Sequence, residues 1–91
     1  MALDILHNRG EGCFEASLDD TRCALEYTLA EGGMAITRIL VPASHAERAV
    51  LDELMHTALD YARARRWKVV SLDSAAEAWL AGHPEYADLQ V

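Results

Sequence analysis

Apolar and polar positions alternate through the first forty residues and then recur at three- and four-residue steps. In "CFEASL" (13–18) Phe14 faces opposite to Cys13 and Glu15, the period of a half-buried strand. In "RCALEYTLA" (22–30) Leu25, Tyr27 and Leu29 share one face, and Ala24, Glu26 and Thr28 the other. "MAITRILV" (34–41) is rich in β-branched residues and stops at Pro42, which has no N–H for a ladder. Turns separate these runs: "NRGEG" with its two glycines, "DDT" at 19–21, and "EGG" at 31–33. With the short, mixed "ALDILHN" in front, the pattern predicts an antiparallel meander of four strands.

After Pro42 the period changes. Val50, Leu51, Leu54, Met55, Ala58, Leu59 and Ala62 form one wide apolar helix face, predicted to run to about Arg66. Glu47, Arg48, Asp52, Glu53, His56, Asp60 and Arg63 fall mostly on the other face. Ser44 followed by Glu47 has the spacing of a capping box, which makes Ser44 the expected N-cap. "WKVVSL" reads as a strand, parallel to its neighbour because a helix precedes it. Ser74 and Glu77 repeat the capping-box spacing ahead of a short helix, "AAEAWLAG", closed by Gly82. Pro84 ends simple continuation, and "HPEYADLQV" has room for one more turn. The fold class is α+β (mixed α/β): an antiparallel meander, a central helix on one sheet face, a parallel strand and a short C-terminal helix.

Length and composition narrow what this chain can do. Its 91 residues suit one domain spanning 1–91, with 52% apolar and 25% charged residues. Lys and Arg total 8 against 15 Asp and Glu, a net charge of −7. That balance argues against a nucleic-acid partner and against an anionic membrane surface. The basic run Arg63, Arg65, Arg66 and Lys68 sits at a helix end, where cations suit the dipole. No apolar run reaches the roughly 20 residues of a membrane span, and "MALDILHNRG" lacks the apolar core of a signal peptide. Cys13 and Cys23 read as free thiols in a reducing compartment, so a cytoplasmic protein is expected. His7, His45 and His56 are scattered without zinc-like spacing, and no metal site is expected. Trp67 and Trp79 read as core or partner contacts, which leaves a homodimer open.

Several stretches resemble the GNAT superfamily of N-acetyltransferases, in particular its small GNAT-like members of about ninety residues. The stretches are "CFEASL…CALEY" (13–27), "LVP" (40–42), "LDELMHTALDYARARRWKVVSL" (51–72) and "HPEYADL" (83–89). The resemblance implies a miniature acyl-CoA N-acyltransferase fold, acetyl-CoA as cofactor, and a small-molecule or protein amine as acceptor. It also implies cofactor contacts at Val41, Ala46, Glu47, Arg48, Ala49 and Val50. The family's acetyl-CoA loop reads Arg-Gly-x-Gly-hydrophobic. Here Ala46 stands at the arginine, Glu47 and Ala49 at the glycines, and Val50 keeps the hydrophobic position. Ser71-Leu72-Asp73 replaces the family's Pro-hydrophobic-Cys triplet, whose cysteine is a suspected catalytic residue, and Arg38-Ile39 stands approximately where the family has a His-Thr pair.

Each candidate site therefore has two readings. Residues 44–50 form either a pyrophosphate cradle, built of backbone N–H groups, Arg48 and the helix dipole, or a self-capped helix start. Glu47 would repel a pyrophosphate by about 1 kcal/mol at 4 Å in water. Asp73 is either a general base or, with Ser74, an N-cap pair. His83 offers a base, and the resemblance implies Tyr86 as an acid for the leaving thiolate; alternatively Pro84, Tyr86 and Leu89 lock the C-terminal turn onto the sheet. The two functions that follow are an acetyl-CoA-dependent N-acetyltransferase and a non-catalytic ligand-binding or protein-interaction module on the same scaffold.

Overall fold

The computed structural model describes residues 3–43 and 46–90. Five strands form one sheet in sequence order: β1 (Leu6–Asn8), β2 (Cys13–Leu18), β3 (Thr21–Ala30), β4 (Gly33–Leu40) and β5 (Lys68–Ser71). The first four are antiparallel neighbours, and β5 runs parallel to β4 across the helix α1 (Glu47–Ala64). Helix α2 (Ser74–Ala81) and a 3₁₀ helix over Pro84–Leu89 complete the chain. No described helix is long and apolar enough to cross a membrane.

The alternation along the strands decides which sheet face is covered. Phe14, Cys23, Leu25, Tyr27, Met34, Ile36 and Val69 point to one side. There they meet Val50, Leu54, Met55, Ala58, Leu59 and Ala62 of α1, together with Ala76, Trp79 and Leu80 of α2 and Tyr86 and Leu89 of the 3₁₀ helix. Each turn supplies the dihedrals its neighbours need. Asp19 and Asp20 both take positive φ in the two-residue β2–β3 link, a conformation that suits the right-handed strand twist. Gly12 has φ +68°, and a Cβ there would lie 2.8 Å from the Tyr27 carbonyl oxygen, so the close approach of β3 depends on glycine.

Two irregularities shape the end of the sheet where β4 and β5 terminate. Glu26 pairs with Arg38 but Tyr27 pairs with Ile36, so Thr37 is the extra residue of a bulge. In addition, β5 pairs with β4 only as far as Ile36, although β4 continues to Leu40. A fork opens between Thr37–Leu40 and the chain leaving β5.

Three expectations need correction. Helix α1 begins at Glu47 with Ala46 at the N-cap position, so Glu47 is the first helical residue and not the third residue of a capping box. Ser44, the expected cap, and His45 lie outside the described residues. Asp73, not Ser74, caps α2: its Oδ1 accepts the N–H groups of Ala75 (2.8 Å) and Ala76 (3.1 Å). An aspartate one residue upstream reaches the N2 and N3 amides, so the serine is left inside the first turn. Finally, α1 stops at Ala64 and Arg66 takes a left-handed φ of +60°.

Candidate functional site

The N-terminal turn of α1 and the length of α2 face each other across a groove of about 650 Å³. Glu47, Arg48 and Leu51 line one side; Ala78, Trp79 and His83 line the other. The first bond of the helical ladder runs from the Val50 N–H to the Ala46 carbonyl, 2.9 Å. The N–H groups of Glu47, Arg48 and Ala49 therefore precede the ladder, at the positive end of an 18-residue helix. The side chains of Glu47, Arg48 and Ala49 are exposed, whereas Val50 is fully buried and anchors the turn. Val41 and Ala46 pack partly buried against the core.

On the α2 side the groove wall is held by a chain of polar contacts rooted in α1. The indole Nε1–H of Trp79 donates to Asp52 Oδ1 at 2.7 Å, which fixes the ring. The His83 imidazole stacks on that indole with centroids 3.5 Å apart and planes 6° from parallel. Its Nδ1–H donates to the Trp79 carbonyl at 2.7 Å, since a carbonyl can only accept. The remaining nitrogen, Nε2, is thereby an acceptor in a partly exposed ring on the groove wall.

Tyr86 stands outside the groove wall. It is 5% exposed, and its hydroxyl donates to Asp60 Oδ1 at 2.9 Å. With that proton on the Asp60 side, the His56 Nδ1–H is the donor to the tyrosine oxygen, also at 2.9 Å. Burial, and next the Asp60 hydrogen bond, push the phenol up to about 12. The Arg63 guanidinium lies 5.1 Å from the ring centroid and also holds Asp88 and the Glu85 carbonyl.

Asp73 sits at the fork. While Oδ1 caps α2, Oδ2 accepts the N–H of Ile39 at 3.1 Å, so one carboxylate ties the end of β4 to the start of α2. Ser71 Oγ donates to the Asp73 carbonyl at 3.0 Å, and Leu72 is 67% exposed.

Of the residues singled out in the sequence, Glu47, Arg48 and His83 thus meet in one groove. Asp73 and Tyr86 are drawn into supporting contacts on either side of it. The Asp52–Trp79 and Asp60–Tyr86–His56 contacts were missed, although Asp52, His56 and Asp60 recur at steps of four, the spacing of one helix stripe. No three His, Cys, Asp or Glu side chains among the described residues come together as a metal site would need.

Sheet order, parallel β4–α1–β5 crossover, fork and groove together define a GNAT-type N-acetyltransferase domain. The family model described as GCN5-related N-acetyl-transferase matches residues 13–89, and the chain belongs to that family. The fold is also similar to the NMR solution structure of a GCN5-like putative N-acetyltransferase from Staphylococcus aureus. The TM-score is 0.81 at 20% identity, over 98% of this chain and 88% of that one. No curated protein matches the chain.

Proposed function

We propose that the chain transfers an acetyl group from acetyl-CoA to an amine, with the cofactor lying in the groove between α1 and α2. The observation that carries this reading is the meeting, in a domain of this family, of three features in one groove: unladdered N–H groups, Arg48 and an acceptor nitrogen of His83. The N–H groups of residues 47–49 and Arg48 are the pyrophosphate contacts, and Val50 and Val41 pack against the core. When bound, acetyl-CoA supplies an activated acyl group. His83 Nε2 accepts the proton that the attacking amine loses; the Nδ1–H bond to the Trp79 carbonyl keeps the imidazole in the tautomer that can do so, and the Asp52 bond to the indole holds the ring on which it stacks. Asp73 and Tyr86 are positioning residues here: the first closes the fork, and the second braces α1 against the C-terminal turn.

Glu47 works against this cradle, because its exposed carboxylate lines the same groove. It favours weak cofactor binding, and it is also the observation that favours the alternative, a non-catalytic module that kept the scaffold. An amide NMR titration with acetyl-CoA and with CoA separates the two. Saturable shifts at 46–51 and 75–83, followed by acetylation of an amine that His83→Ala abolishes, support the enzyme. No shift at millimolar ligand supports the module. Replacing Glu47→Gly and Ala49→Gly together should tighten CoA binding about tenfold, the order expected for removing one like charge and opening the backbone. Unchanged affinity would overturn this account of the loop.

A further inference from the structure

The other end of α1, about 27 Å away along the helix axis, borders a second groove, of about 600 Å³. Its walls are Arg9, Tyr27, Leu29, Tyr61, Arg65 and Trp67, contributed by the β1–β2 turn, β3, the last turns of α1 and the approach to β5. Three properties set it apart from ordinary surface. First, its cations are unpaired. The ion pairs among the described residues are Arg22–Glu15 and Arg63–Asp88, so neither Arg9 nor Arg65 has a carboxylate partner in a chain with 15 acidic residues. Second, Arg65 is held in place. Its guanidinium lies 4.2 Å from the Tyr61 centroid and 5.8 Å from that of Trp67, contacts that leave its N–H edges to donate. Third, the walls are apolar and partly open to solvent: Tyr61 and Trp67 meet edge to face at 5.7 Å, and Leu29 is 55% exposed.

We infer that this groove is a binding site for a small aromatic carboxylate. The flat body rests against Leu29, Tyr61 and Trp67, and the carboxylate accepts from the Arg65 and Arg9 guanidiniums. Each arginine completes in the ligand the charge-assisted pair that it lacks in the chain. His7, whose ring meets that of Tyr61 behind the groove, sits below its usual range mainly through burial and then through the Arg9 and Arg65 charges. Glu11 also lines the groove and limits it to a single negative charge, which disfavours a phosphate dianion. The volume suits such a ligand, since small-molecule sites run from about 300 to 1,000 Å³. The site is separate from the acyl-transfer groove and does not rest on that reading.

The test is an amide NMR titration of the whole chain with indole-3-acetate, with indole-3-acetamide as its neutral isostere. Saturable shifts at Gly10, Gly12, Thr28 and the Trp67 indole N–H are expected, with Kd about 0.1–1 mM. The amide should bind at least about tenfold more weakly. Arg65→Met keeps a long apolar side chain next to Tyr61 and removes the charge; Arg9→Met removes the other charge in an exposed turn that the core does not depend on. Each should weaken indole-3-acetate about tenfold with the remaining spectrum unchanged. No saturation at 10 mM, equal binding of the amide, or an Arg9→Met chain that binds as well as the parent would overturn the assignment.

Discussion

Asp73 shows how much one side chain can organise. Its carboxylate accepts three backbone N–H groups, from Ile39, Ala75 and Ala76. Removing it uncaps α2 and leaves the Ile39 N–H without that acceptor at the fork. Asp73→Ala should cost about 1–3 kcal/mol in urea unfolding. Asp73→Asn should lose less, because an amide oxygen can still cap the helix. Tyr86 makes stability depend on pH at the alkaline end. Burial, followed by the Asp60 hydrogen bond, raises Tyr86 from an ordinary 10.0 to about 12 in the fold. The fold thus favours the neutral phenol, so its contribution is complete below pH 10 and is lost as pH rises from 10 through 12. In an absorbance titration of tyrosinate, one step should appear near 12 and disappear in Tyr86→Phe.

Among the elements, α1 carries a flaw that can be measured. Its C-terminus closes as a Schellman motif: the Trp67 N–H bonds the Ala62 carbonyl at 2.9 Å, and the Arg66 N–H bonds Arg63 at 3.0 Å. The residue between, Arg66, is left-handed at φ +60°, where glycine is the usual occupant. Arg66→Gly should therefore stabilise the chain by up to about 1 kcal/mol, visible as a rise in Tm of a few degrees. The basic run that flanks this turn divides by structure: Arg63 and Lys68 reach the C-terminal turn through Glu85, Asp88 or its carbonyl, and Arg65 lies over Tyr61. Strands and helices were legible because each buries one face, and a period of 2 or 3.6 records that face directly. The caps were legible only to within a residue or two. Serine and aspartate both cap, and which one does depends on where the preceding strand delivers the chain.

At the scale of the whole molecule, one helical layer on one sheet face concentrates the core at the contact between α1 and the strands. Leu54 is fully buried there. Leu54→Ala should cost about 3–5 kcal/mol, because the sheet that shares this core is held by its hydrogen-bonded ladders and cannot collapse into the cavity. Thermal unfolding of that variant checks it. The groove between α1 and α2 also belongs to this scale, since it joins residues 47 and 83, which no local pattern links.

The order of elements, the faces they bury and the family can be read along the linear chain, because periodicity, turn residues and the "HPEYADL" stretch are local. What the polar residues do was settled by packing in three dimensions. That packing turned Asp73 into a clasp for β4, paired Asp52 with Trp79 and Asp60 with Tyr86, and left His83 Nε2 as an acceptor on the groove that Arg48 also lines. A carboxylate accepts from any donor within about 3 Å, and which donor comes that close is set by packing between elements far apart in the chain.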